Sequence, residues 1–325
     1  MILLTGGAGF IGSILLKELN KKGRQDILVV DRLRQSSKWL NLQGGKFSRY
    51  IHADDFFLPE NDTWLSKVDA IYHMGACSAT TEMDMDYLMK NNVDYSQKLF
   101  RYASEQNIPM IYASSAATYG AGSEGYDDDE SKIPLLRPLN PYGYSKQLFD
   151  EWVLRQKKTS FPWFGVKFFN VYGPNEYHKL TMHSVVHKAF EEIRDHGKVK
   201  LFKSHRPDFK DGMQLRDFVY VKDVVAAMIA LMDLRDLKTS GIYNLGTGKA
   251  RSFNDLTLAT FKAMGKNPQI EYVDMPMTIR NQYQYFTEAK MTKLSKVLPG
   301  FKFSSLEEGV TDYVKNYLLK ENIFH

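Results

Sequence analysis

Short, nearly uninterrupted apolar runs recur along the chain, with amphipathic stretches between them. The runs Ile2–Thr5, Ile27–Asp31, Arg49–Ile51, Ala70–Met74, Met110–Ser114 and Gly165–Phe169 predict strands. The stretches Ser13–Lys22, Tyr87–Gln106 and Gln147–Lys157 predict helices between them. Strands that are apolar throughout are buried on both faces, as in a parallel sheet covered by helices. With right-handed crossovers, the alternation predicts an α/β fold with a doubly wound, Rossmann-type sheet. The second half is less regular. Leu201-Phe202-Lys203 and Tyr243-Asn244-Leu245 are strand pieces, and Val221–Met232 is a helix. The polar stretch from Lys203 to Leu215, with Pro207 and Gly212, predicts a surface loop. The expected division is a dinucleotide-binding domain of residues 1–169 plus 215–249. A smaller mixed α/β substrate domain takes 170–214 plus 250–325.

Composition narrows the class. The chain has 325 residues, 43% hydrophobic and 25% charged, with a net charge of +5. That charge suits a polyanionic small molecule, and no nucleic-acid-reading motif accompanies it. The single cysteine, Cys77, allows no internal disulfide, as expected in a reducing compartment. No apolar run reaches membrane length, and Met1 leads straight into a strand, so a cytoplasmic protein is expected. The acidic run Asp127–Glu130 predicts a solvated loop.

The first strand runs into Gly6-Gly7-Ala8-Gly9-Phe10-Ile11-Gly12 and then a helix. Such glycines let backbone N–H groups approach a pyrophosphate at a helix N-terminus. Asp31 closes the second strand, where the ribose of an adenosine would lie. Tyr142 and Lys146 stand i, i+4 and share one helical face. A phenol needs help to act as a base at neutral pH, and a nearby ammonium favours its phenolate. Ser115, near the end of the strand from Met110, can hydrogen-bond a substrate alcohol. His183 and His187 are also spaced i, i+4, but Ser184 follows His183 where HExxH has its glutamate, so no metal site is expected.

These motifs resemble the extended short-chain dehydrogenase/reductase superfamily and, within it, the ADP-heptose 6-epimerase family. The resemblance rests on Thr5–Gly12, GACSATTE (Gly75–Glu82), YASSAATYG (Tyr112–Gly120) and YGYSK (Tyr142–Lys146). It continues through FNVYGP (Phe169–Pro174), His178-Lys179, RDFVYV (Arg216–Val221), NLGTG (Asn244–Gly248) and Tyr283-Gln284. It implies inversion at C6″ of ADP-D-glycero-D-manno-heptose through a transient 6″-ketone, with tightly bound NADP taking and returning the hydride. The product would feed the lipopolysaccharide inner core. The implied catalytic residues are Tyr142, Lys146, Ser115 and Lys179. The implied cofactor set is Gly6, Gly9, Phe10, Ile11, Gly12, Asp31, Arg32, Lys38, Met74, Gly75, Ala76, Cys77, Ser78, Asn91, Lys146, Val171 and Lys179. The implied substrate set is Ser115, Asn170, Thr181, Lys188, Phe202, Lys203, Ser204, His205, Arg216 and Tyr283. The family also implies a homo-oligomer, usually a pentamer.

Departures from the family pattern are specific. Thr181 replaces a serine, Lys188 a histidine beside His187, and Ala53 a lysine, and the loop between Phe202 and Arg216 is longer. Asp31 by itself selects NAD, while Arg32, Arg34 and Lys38 offset its charge in favour of NADP. Alternative readings are a C4 epimerase of a UDP-hexose and a catalytically silent NAD(P)-sensing scaffold. A 4,6-dehydratase is disfavoured because Ala116-Ala117 follow Ser115 in place of an acidic pair.

Overall fold

Seven of the apolar runs hydrogen-bond into one parallel sheet. The computed structural model describes residues 1–156, 159–280, 283–321 and 323–325, with the side chains at 180, 181, 278 and 279 outside the description. The sheet strands are β1 (Ile2–Thr5), β2 (Ile27–Asp31), β3 (Arg49–His52), β4 (Ala70–His73), β5 (Met110–Ser115) and β6 (Trp163–Phe168), with a seventh strand from the second half. Three small two-stranded sheets follow. They pair β7 (Asn170–Tyr172) with β10 (Phe218–Tyr220), β8 (Val199–Phe202) with β13 (Ile270–Val273), and β9 (Leu215–Arg216) with β12 (Arg251–Ser252). The seventh sheet strand is β11 (Gly241–Leu245), and the spatial order is β11-β6-β5-β4-β1-β2-β3. The order reverses between β1 and β4, and a crevice opens there beyond the carboxyl ends of the strands. Thr5 of β1 faces Val30 of β2 on one side and His73 of β4 on the other, so three strand ends reach that crevice together.

The principal helices are α1 (Phe10–Lys21), α2 (Tyr95–Gln106), α3 (Pro141–Leu154), α4 (Val185–His196), α5 (Val221–Leu234), α6 (Phe253–Met264) and α7 (Leu306–Tyr313). The expected helix over Tyr87–Gln106 is instead three pieces: a turn at Met85–Leu88, a π-helical segment at Met89–Asp94, and α2. The wider π turn turns Asn91 and Asn92 inward, and such turns concentrate at functional sites. One apolar cluster joins Leu16 of α1, Val224 of α5, Leu256 of α6 and Val310 of α7, so the second half packs directly onto one face of the sheet. Among the described residues, no helix is long and apolar enough to cross a membrane.

The acidic run is not simply a solvated loop. Asp128 is buried and accepts from the Asn244 backbone N–H at 2.9 Å, and Glu130 accepts from that of Ile242 at 3.0 Å. These carboxylates satisfy the N–H groups of β11, which lies at the sheet edge. Burial pushes the Asp128 carboxyl above its usual range.

Helix α3 is fixed by chemistry at both ends. Asn140 caps it by accepting from Gly143 N–H at 2.8 Å, and Pro141 occupies its first turn. Two turns after Tyr142, Asp150 is fully buried. It accepts from Lys167 Nζ (2.6 Å), Ser114 Oγ (2.7 Å) and Tyr112 OH (3.2 Å), while Lys167 Nζ also donates to Thr118 Oγ1 (2.8 Å). Removing one member of such a pair leaves a buried charge unpaired. Lys167→Met is therefore expected to lower the unfolding free energy by about 3–5 kcal/mol. Adding Asp150→Leu should recover part of that loss. Urea denaturation of the parent and both variants checks this, and a single variant as stable as the parent would refute it.

Candidate active site

A cavity of ≈ 840 Å³ lies beyond the carboxyl ends of β1, β2, β4, β5 and β6. Its floor is the turn from β1 into α1. Gly6 has φ +69, and a Cβ there would sit 2.6 Å from Gly75 N. A Cβ on Gly12 would sit 2.1 Å from Gly6 O, so neither position admits a side chain. Helix α1 starts at Gly9 with no side-chain cap and no acid in its first turn. Its N-terminal N–H groups and dipole are thus free to meet an anion. This cradle fits a dinucleotide pyrophosphate.

Gly6, Gly9, Phe10, Ile11, Gly12, Asp31, Arg32, Lys38, Met74, Gly75, Ala76, Cys77, Ser78, Asn91 and Val171 all line this cavity. Asp31 is buried and engaged on both oxygens. Oδ2 accepts from Ala8 N–H (2.8 Å), and Oδ1 accepts from Arg32 N–H (2.7 Å) and Lys38 Nζ (2.5 Å). Lys38 therefore neutralises the acid it stands beside. The loop after β4 rests on a buried polar chain. Gly75 N–H donates to Thr5 Oγ1 (3.1 Å), which meets His73 Nδ1 (2.6 Å), whose Nε2 meets Ser96 Oγ (2.8 Å). Burial, assisted by Lys146, lowers the His73 imidazole to about 3, so it stays neutral. Asn92 bridges the same loop to α3: it accepts from Cys77 N–H (2.8 Å) and donates to Cys77 O and Ser145 Oγ (both 3.0 Å).

Ser115, Tyr142, Lys146, Asn170 and Lys179 line the same cavity. Lys146 Nζ donates to Ala113 O at 2.9 Å. The expectation that Lys146 lowers the Tyr142 phenol does not hold here. Burial dominates and raises the phenol, and the group pulling it back down is the Ser115 hydroxyl. Lys146 is itself brought down to about 8 by burial, partly opposed by Asp150. Lys179 is half-buried, with Nζ 4.5 Å from the centre of the Phe10 ring. Burial lowers its ammonium, and Glu176 opposes that shift. Glu176, which the sequence reading missed, is 1% exposed and accepts from Ser184 N–H (2.5 Å) and Oγ (2.7 Å). Its only signal is its place three residues before Lys179.

Several expected substrate residues lie elsewhere. Lys188 is exposed on α4 and does not line the cavity, because the helix phase turns its neighbour His187 inward instead. Lys203, Ser204 and His205 lie on the loop after β8, held by Ser204 N–H to Asp211 (2.8 Å) and His205 N–H to Tyr285 OH (2.9 Å). They are outside the cavity lining because Lys203 turns outward to pair with Asp274 at 3.5 Å. The Thr181 side chain is outside the described residues. Arg216 stands one layer behind the wall, its guanidinium 5.0 Å from the Tyr283 ring and 5.7 Å from that of Phe253, with Nη2 donating to Gln284 O. Phe202 packs edge-on against Tyr283, ring centres 6.4 Å apart. Phe253 and Gln284 themselves line the cavity. Arg216 is 6% exposed and makes no ion pair among the described residues, and burial lowers its cation. It is a desolvated charge lacking a counter-ion.

The chain is similar to known proteins. A protein of Fusobacterium nucleatum named ADP-L-glycero-D-manno-heptose-6-epimerase is 50% identical over 338 residues, covering 100% of both chains. The crystal structure of Helicobacter pylori ADP-L-glycero-D-manno-heptose-6-epimerase superposes with a TM-score of 0.80 at 31% identity, covering 97% of this chain and 95% of that one. MoeE5 in complex with UDP-glucose and NAD superposes at 0.76 with 28% identity, covering 97% of each chain. Residues 2–246 match the model of the NAD dependent epimerase/dehydratase family. With this cradle, this cavity and these relatives, the chain belongs to the NAD dependent epimerase/dehydratase family.

Proposed function

We propose that the chain inverts C6″ of ADP-D-glycero-D-manno-heptose to give the L-glycero epimer, through a 6″-ketone and with net redox neutrality. The observation that carries this reading is that two proton-handling groups, Tyr142 and Lys179, stand in the wall of one cavity, the first buried and the second half-buried. Inversion requires a proton to be managed on each side of the reacting carbon, so one group does not suffice. A bound nicotinamide dinucleotide would supply the hydride acceptor and return the hydride. Ser115 positions the C6″ hydroxyl beside Tyr142, and one of the two groups takes its proton as C6″ is oxidised. The sugar then presents its other face, and the second group returns a proton to the alkoxide as C6″ is reduced. The depressed ammonium of Lys179 suits such exchange. Lys146 anchors the cofactor ribose. Arg216 answers the substrate diphosphate, which supplies the counter-ion the buried guanidinium lacks. A C4 epimerase of a UDP-hexose is the weaker reading, since relatives of half identity carry the heptose name.

NADP is the dinucleotide this reading favours. Asp31 is already neutralised by Lys38, and Arg32 and Arg34 stand beside it to meet a 2′-phosphate. Residues 1–169 plus 215–249 then hold the cofactor, and 170–214 plus 250–325 the sugar nucleotide. A cytoplasmic homo-oligomer serving lipopolysaccharide inner-core synthesis belongs to the same reading.

NMR of ADP-D-glycero-D-manno-heptose incubated with the protein, without added cofactor, tests the reaction. Inversion at C6″ is expected, and an unchanged sugar would overturn it. Mass analysis of dinucleotide released on denaturation should find NADP, and NAD alone would reverse that assignment. Tyr142→Phe and Lys179→Met should each lower kcat at least about 100-fold with cofactor still bound. Near-parental turnover in either removes that residue as an acid/base. Arg216→Lys should raise KM more than it lowers kcat, and an unchanged KM would count against a diphosphate contact.

A further inference from the structure

Outside the residues used by the reaction, three side chains at the start of α4 converge. His183 precedes the helix, His187 lies in its first turn, and Glu191 follows one turn later. Their ligand atoms lie within 4.8 Å of one another. The two imidazole ring centres are 4.2 Å apart, and His187 Nδ1 is 3.3 Å from Glu191 Oε2.

The hydrogen bonding shows which atoms are free to act as donors to a cation. His183 Nε2 lies 2.9 Å from Tyr177 O. A carbonyl oxygen only accepts, so that nitrogen carries a proton, and in the neutral ring the lone pair is on Nδ1. Metal-binding histidines characteristically hand their other N–H to a backbone carbonyl in this way. His187 is 7% exposed, and its Nδ1 is buried without a hydrogen-bond partner. Such an atom is costly to leave unsatisfied unless something coordinates it. Glu191 is flexible and 43% exposed, and can swing the remaining distance. The positive charges of Lys188 and Arg194 on the same helix oppose a cation here without contacting the donor atoms.

We propose that His183, His187 and Glu191 form a binding site for a divalent transition-metal ion of the Zn²⁺ or Co²⁺ class. Two imidazoles and one carboxylate make a three-ligand tetrahedral set with one position open, and nitrogen donors discriminate against Mg²⁺ and Ca²⁺. Bonds of about 2.0–2.1 Å need only a side-chain contraction around the ion. The sequence holds the pattern as H-x3-H-x3-E, with Ser184 where HExxH has its general-base glutamate and Glu191 offered as the third ligand. The Tyr177 carbonyl behind His183 belongs to the turn Tyr177–Met182, which carries Lys179. His183 also lines the main cavity. An ion bound here ties that turn to α4 and steadies the segment bearing Lys179.

Titration of the tag-free full-length protein with Co²⁺ tests the site independently of any activity. One equivalent should bind at micromolar concentration with the visible d–d absorption of a tetrahedral ion. Zn²⁺ should displace it and raise the melting temperature. His187→Gln and Glu191→Gln should each weaken binding at least about 100-fold. Glu191 is a surface residue, so its variant should fold as the parent does, checked by circular dichroism. The absence of saturable binding near one equivalent, or binding unchanged in Glu191→Gln, overturns the proposal.

Discussion

The docking of one helix against the sheet governs everything else in this molecule. Tyr142, Lys146 and Asp150 recur at four-residue intervals along α3, so they share a face. Asp150 meets Lys167 of β6 and Ser114 of β5 in full burial. That interaction fixes the roll of the helix about its axis. Once the roll is set, Lys146 reaches the carbonyl of Ala113 and Tyr142 reaches Ser115. A low-dielectric interior makes such a charge pair demanding in geometry. It acts less as a source of stability than as a device that admits one orientation.

The cavity opposes two kinds of wall. On the cofactor side the wall is mostly backbone, because Gly6 and Gly75 approach too closely for any side chain between them. On the opposite side Phe253 and Gln284 line it, and behind them Phe202 and Tyr283 pack around a guanidinium that makes no ion pair among the described residues. The first wall is suited to a ligand whose shape is constant. Burial raises the phenol and lowers the ammonium groups on the border between the two walls. The proton inventory of the site is thus set by desolvation first and by neighbouring charges second.

The sequence made the sheet legible because its strands are buried on both faces and read as continuous apolar runs. The cradle and the Tyr142/Lys146 pair were equally visible, since local spacing alone brings their members together. What it concealed depends on non-local geometry. Lys167 interrupts an apolar strand, and nothing nearby in sequence names Asp150 as its partner. The π turn over Met89–Asp94 looks like ordinary helix in any 3.6-residue pattern, yet it directs Asn91 and Asn92 inward. Lys188 and His187 are adjacent, and only the phase of α4 decides which one is buried. Glu176 and Glu191 pass for surface acids until the fold sets each beside its partners.

Asn92 draws these threads together. Its amide clasps both the N–H and the carbonyl of Cys77 and extends a hydrogen to Ser145, one residue from Lys146. The loop after β4 and helix α3 are therefore mechanically one piece. Any shift of the loop after β4 passes through this one amide to the helix turn that bears Tyr142 and Lys146, so the two sides of the cavity keep a common register.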